Sequence, residues 1–228
     1  MKNYKAVILI TEIAAGLLLL FALWERNEDR TLQVMSGEIN PYISEKKVAL
    51  TFDDGPHPEY TPVLLQGLKE RGVRATFFVV GQQALANPDL IKQMEEDGHL
   101  VGNHTYTHLQ LTKDNHEKYR EELLQTDAVL QDILGHGTAF VRPPYGSWNK
   151  AFEKELALFP VLWTVDPNDW CRTDASGICR CVVSKVKEND IILLHDYYES
   201  SVEAALEIVD CLTERGYTFV AVDELLFE

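Results

Sequence analysis

Val48-Ala49-Leu50-Thr51-Phe52-Asp53-Asp54-Gly55-Pro56 is the stretch on which the fold turns. A short run, mostly apolar and not strictly alternating, meets two carboxylates and then a Gly-Pro pair that forces a turn. Such a run fits a strand buried on both faces, as in a parallel sheet. Six further runs follow: Ala75–Val80, His99–Asn103, Ala139–Arg142, Pro160–Val165, Ile191–His195 and Thr218–Val222. Helix punctuation lies between them. Thr61-Pro62 and Asn87-Pro88 open helices that Gly72 and Gly98 close. Tyr119, Leu123, Leu130 and Leu134 sit at helical spacing before Gly135. Strand–helix alternation repeated about seven times implies right-handed crossovers, and it predicts a barrel in preference to an open sheet.

Ionisable residues collect where these runs end. Asp53 and Asp54 follow the first, His104 and His108 the third, and Arg142 ends the fourth. Asp166 and Asp169 follow the fifth, and His195 and Asp196 close the sixth. In a parallel barrel the C-terminal strand ends form one face, and active sites sit there. Neighbouring side chains on extended backbone diverge, so Asp53 and Asp54 can serve different functions. The plainer reading of this pair is an Asx turn or a helix cap. His104 and His108, with a carboxylate from a neighbouring strand end, make a two-His, one-Asp set with an open position. That is how a catalytic zinc site is built, and non-haem Fe(II) sites share the ligands, so the set leaves the metal open. Pro143 and Pro144 fix two φ angles and would hold Arg142 and the Tyr145 amide rigidly. His195 and another carboxylate on the same face supply a second acid–base system away from the metal.

The rest of the chain sets limits. Its 228 residues carry 21 Lys+Arg against 36 Asp+Glu, a formal charge of −15 that argues against a nucleic-acid partner. With 46% hydrophobic residues, wholesale disorder is excluded. No internal repeat appears, which excludes solenoids and propellers. Ala6 to Trp24 is 19 residues long, and only Thr11, Glu12 and Gly16 interrupt its apolar character. That length suits a transmembrane helix. Lys2 and Lys5 before it favour a cytoplasmic N-terminus and an exported remainder. A cleaved signal peptide is the alternative, although Trp24 stands where a small residue is wanted. Residues 1–24 are therefore expected to be an anchor or signal segment, 25–45 a polar tether, and 46–228 the catalytic domain. Export permits disulfides. Cys181–Cys211 between neighbouring helices and Cys171–Cys179 in a loop are the expected pairs, with four free thiols as the alternative.

Five motifs carry a resemblance: TFDDGP at 51–56, HTYTH at 104–108, RPPYG at 142–146, DPNDW at 166–170 and LLHD at 193–196. In this order and spacing they resemble the polysaccharide deacetylase family, also called the NodB-homology domain or carbohydrate esterase family 4. The resemblance covers residues 47 to about 226. It implies a distorted (β/α) barrel, often of seven strands, and a divalent metal, usually zinc, held by Asp54, His104 and His108. It further implies Asp53 as general base, His195 as general acid, Arg142 as the residue holding the base and Asp166 as the carboxylate tuning the acid. Trp170 and Leu193 match the walls of the acetyl pocket, and the Tyr145 amide matches the oxyanion donor. The activity so implied is metal-dependent removal of N-acetyl groups from N-acetylglucosamine-type residues. Export and anchoring point to peptidoglycan as the first substrate. An O-acetyl esterase of the acetyl xylan type and an inactive, anchored carbohydrate-binding module are the rivals. A monomer is expected.

Overall fold

A computed structural model of the chain describes residues 46–227. The expected anchor over 1–24 and tether over 25–45 lie outside the described residues. Among the described residues no helix is long and apolar enough to cross a membrane.

Each of the seven runs overlaps a strand: β1 Lys46–Asp53, β2 Thr76–Val79, β3 Leu100–Asn103, β4 Phe140–Val141, β5 Phe159–Pro160, β6 Ile191–His195 and β7 Tyr217–Val220. They form one sheet in the order β5-β4-β3-β2-β1-β6, with β7 paired to the first half of β1. Every pairing is parallel. The sheet curls back on itself, because the chain just past β5 meets β6 through a bridge between Val165 and Ile192. The result is a distorted, incomplete barrel. The run Pro160–Val165 is a strand only at its start: Phe159–Pro160 pairs with β4, and Val165 reaches across to the other edge.

The crossovers are helices: α1 Tyr60–Glu70, α2 Gly81–Ala86, α3 Pro88–Glu96, α4 His116–Leu134, α5 Ala151–Glu155, α6 Ala175–Lys185, α7 Glu199–Glu214 and α8 Val222–Phe227. Their ends follow the punctuation of the sequence. Pro88 occupies the first helical position of α3 after Asn87, and Gly135 closes α4 at φ 84°, where a residue with a Cβ is strained.

Two apolar layers result from the pleat of β1. Val48, Leu50 and Phe52 point outward and pack with Leu64, Leu65 and Leu68 of α1 and Ile208 and Leu212 of α7. Ala49 points inward, among Phe78, Val161 and Ile191. Full burial of a leucine of this kind contributes roughly 1.5–3 kcal/mol.

The expected cysteine pairs are not formed, and all four thiols are free. Cys179 is buried with Ile178 and Val182 on the inner face of α6. Its thiol lies against that of Cys211 on α7, and burial pushes it up to about 12. Two residues further on, Cys181 is rotated by roughly 200° around the helix, away from that contact. The partner facing Cys211 is therefore Cys179.

Candidate active site

The same pleat that builds the core delivers the polar residues. Along β1, Thr51 and Asp53 continue the inward face begun by Ala49. Arg142 directly follows β4 and crosses the interior to meet them. Its Nη1 donates to Thr51 Oγ1 at 2.6 Å and to Asp53 Oδ1 at 2.9 Å. Its Nε donates to the Val161 carbonyl at 3.1 Å and its Nη2 to that of Leu162 at 3.3 Å, while the guanidinium lies 4.3 Å from the Phe78 ring centroid. Arg142 is 0% and Asp53 3% exposed. Charges buried this deeply persist only when paired and hydrogen-bonded, as these are.

Asp54, past the strand end, turns the other way with φ at 74°. Its Oδ1 lies 3.5 Å from His104 Nε2 and 3.3 Å from His108 Nε2. His104 Nδ1 is 2.6 Å from the Arg142 carbonyl, which can only accept, so Nδ1 carries a proton and Nε2 is the nitrogen that faces Asp54. Burial, and then the neighbouring His104, push His108 below its ordinary value, which keeps that ring neutral. Asp54 Oδ1 is buried without a hydrogen-bond donor. Potential ligand atoms from three side chains thus converge on one point, the arrangement of a cation site. Among the described residues these three form the one group whose ligand atoms lie close enough, within 4.8 Å of one another, to hold a metal ion. The orienting bond from His104 to a backbone carbonyl is the usual support of a ligating imidazole.

Across the cavity, His195 ends the inward face of β6 after Ile191 and Leu193. Here the structure departs from the sequence expectation. The carboxylate on His195 is Asp169: its Oδ1 is 2.8 Å from Nδ1, and its Oδ2 accepts the His195 backbone N–H at 2.8 Å. Asp166 accepts the Asn168 backbone N–H at 2.7 Å instead, closing an Asx turn. Asn168 then takes a left-handed conformation, φ 54°, which swings Asp169 into the interior at 0% exposure. Burial alone would lower the His195 pKa; the hydrogen bond and charge of Asp169, aided by Asp53 and Asp54, override it and raise the value to about 9. The ring is therefore protonated at neutral pH.

Asp196 points to the outer side of β6 and is 1% exposed. The Thr61 hydroxyl donates to its Oδ2, and burial raises it to about 7. Gly55 is fixed by this carboxylate, since a Cβ there would lie 2.1 Å from Asp196 Oδ1.

Between the two centres lies a cavity of about 370 Å³. Nine of the ten residues to which the resemblance gives roles line it: Asp53, Asp54, His104, His108, Tyr145, Asp166, Trp170, Leu193 and His195. Arg142 stands behind Asp53. Tyr145 adopts φ 59° and His108 φ 60°, conformations that cost a non-glycine residue about 1–3 kcal/mol and tend to cluster at functional sites. Trp163 and Tyr198 also line the cavity and were not singled out. Trp163 sits inside an apolar run and reads there as ordinary core. Tyr198 follows the LLHD motif, and only that adjacency could have flagged it.

The family model described as Polysaccharide deacetylase matches residues 42–161. The chain belongs to the polysaccharide deacetylase family. Relatives within it agree. A peptidoglycan-N-acetylglucosamine deacetylase of Listeria monocytogenes is 37% identical over 191 residues, covering 84% of this chain and 41% of that protein. The match thus spans about two fifths of the length of that relative, 41%. The solved peptidoglycan deacetylase of Bacillus subtilis superposes with a TM-score of 0.77 at 36% identity, covering 80% of this chain and 90% of that one. A family 4 acetyl xylan esterase from Clostridium thermocellum, solved with a cobalt ion, gives 0.73 at 34% identity, covering 79% and 90%. Polysaccharide deacetylases of both substrate types therefore share this barrel.

Proposed function

We propose that the protein is a metal-dependent hydrolase that removes N-acetyl groups from N-acetylglucosamine-type residues of an extracellular polysaccharide, peptidoglycan first, and releases acetate. The observation that carries this reading is the division of the cavity. A three-ligand cation site and an arginine-held carboxylate occupy one wall, and a protonated imidazole faces them from the other. Asp54, His104 and His108 would hold the cation, for which zinc is the proposed identity. When bound, it supplies polarisation of the acetamide carbonyl and a water of lowered pKa.

The remaining work belongs to the chain. Asp53 accepts the proton of the attacking water, and its bond to Arg142 keeps it aimed. The Tyr145 backbone N–H is assigned to the developing oxyanion. His195 gives its Nε2 proton to the departing nitrogen, and Asp169 holds Nδ1 so that the ring can carry the charge. Trp170 and Leu193 wall the acetyl methyl. Amide and water become acetate and a free amine.

The test is acetate release by the purified protein from peptidoglycan and from N-acetylglucosamine oligomers, with and without chelator. Release that stops on chelation and returns with zinc is expected. Acetate from acetylated xylan but not from either amide substrate would establish the esterase reading, which the likeness to the Clostridium thermocellum enzyme keeps in play. Binding of glycan without any acetate release would leave only a binding module. Residues 1–24 are proposed to anchor the catalytic domain outside the membrane, on the strength of their apolar length and the two preceding lysines. Full-length chain that resists alkaline extraction from membranes supports this; a released form lacking those residues identifies a cleaved signal.

A further inference from the structure

Glu122 is a carboxylate on the buried face of α4, at 6% exposure, and the chemistry assigned above does not use it. The other buried residues around it on the helix are Tyr119, Leu123 and Thr126. A carboxylate in such a position is costly unless hydrogen bonds compensate it. Two do, and both come from one residue. Its Oε2 accepts the Thr107 backbone N–H at 2.6 Å, and its Oε1 accepts the Thr107 hydroxyl at 2.7 Å. Thr107 lies between the two imidazoles of the cation site and directly precedes His108.

Those imidazoles are supported in different ways. His104 is oriented through its own ring, by the bond from Nδ1 to the Arg142 carbonyl. The ring of His108 has no such bond among the described residues, and its Nε2 faces Asp54. The placing of His108 therefore falls to its backbone, which takes a left-handed φ of 60°. A residue with a Cβ keeps that conformation only where its surroundings over-determine it. Earlier in the loop, the first N–H groups of α2, those of Gly81 and Gln82, donate to the carbonyls of Thr105 and Tyr106. On the far side of His108, the Leu109 N–H donates to Thr105 Oγ1 at 3.0 Å. Glu122 extends the hold to the residue just before His108.

We infer that Glu122 is a positioning residue of the cation site: by fixing Thr107 it aims His108 at the point shared by Asp54 and His104, and so sets the affinity for the metal. The inference rests on the cation site that these three residues form. Orienting partners outside a ligand set are worth about 10–100-fold in metal affinity. Glutamine matches glutamate in length, and its amide can accept the Thr107 N–H and donate to the Thr107 hydroxyl. The hold therefore requires the two hydrogen bonds and not the charge.

Zinc affinity is read by titrating the metal-free full chain in competition with a chromophoric chelator, and the visible absorption of bound cobalt(II) reports the ligand geometry. Glu122→Ala is expected to bind zinc about 10–100-fold more weakly and to change the cobalt spectrum, while Glu122→Gln returns both to the parent's values. Thr107→Val removes one of the two bonds at an exposed position and should weaken zinc binding towards the lower end of that range. If Glu122→Ala does not fold, Thr107→Val decides alone. Leu130→Ala, on the same buried face about two turns further along, controls for a softened helix. It should lower the melting temperature of the metal-free protein and leave zinc affinity alone. Parent affinity in either Glu122→Ala or Thr107→Val overturns the inference. So does a zinc affinity in Leu130→Ala that falls as far as in Glu122→Ala, or a Glu122→Gln that binds as weakly as the alanine variant. A parent that takes up neither zinc nor cobalt would remove the cation site itself; a parent that binds, with variants that match it, would remove only the role of Glu122.

Discussion

Asp53 and Asp54 on one side of the cavity, and Asp166 and Asp169 on the other, are two carboxylate pairs on the same rim, yet they are specified in different ways. The first pair sits at the end of a strand. Pleat sends Asp53 inward to Arg142, and the turn that follows sends Asp54 to the imidazoles. The second pair sits in a loop. An Asx turn consumes Asp166, and a left-handed Asn168 delivers Asp169 to His195. Strand geometry alternates by rule, so roles at a strand end follow from sequence position. Loop geometry depends on which local hydrogen bonds win; position left both carboxylates open, and the one that the resemblance implied, Asp166, is not the one on His195.

The strand-end pair gives the largest expected effects. Asp54→Ala should purify largely without metal, because two imidazoles remain from a three-ligand site. Asp53→Asn keeps the size and the metal, and its loss should fall on the chemical step, about 10²–10⁴-fold for a general base. Elemental analysis beside acetate-release rates separates the two. Equal loss of metal and rate in both variants would erase the division of labour, and full activity in metal-loaded Asp53→Asn would remove the hydrolytic mechanism.

Effects at the loop pair should be smaller and one-sided. Asp169→Asn is expected to lower the rate about 10–100-fold, the range for partners that orient a functional imidazole. Asp166→Asn leaves His195 with its carboxylate and should fall well short of that. The reverse ranking would restore Asp166 as the tuning group. The pH profile sharpens the point. His195 is held above its ordinary value, so its protonated form is lost as pH rises through about 9, and the rate should decline there. The same sign governs folding. The stabilisation from the raised pKa is fully present below the ordinary value near 6.5 and disappears as pH climbs through about 9. In Asp169→Asn the alkaline decline should move to lower pH. An unchanged profile would show that Asp169 does not set the protonation of His195.

Much of the molecule was legible in advance. Seven apolar runs became seven parallel strands, and Asp53, His104 and His195 reached one cavity, with Arg142 behind Asp53, because each stands at or just past a strand end. The hydrophobic pattern and the pleat act locally, within a few residues, so the sequence by itself carries that information. It did not carry the partner of His195, the facing of Cys179 rather than Cys181 towards Cys211, or the hold of Glu122 on Thr107. Each of those depends on the winding of a loop or the rotation of one helix against another. Those are set by packing between segments tens of residues apart, and only the tertiary structure decides them.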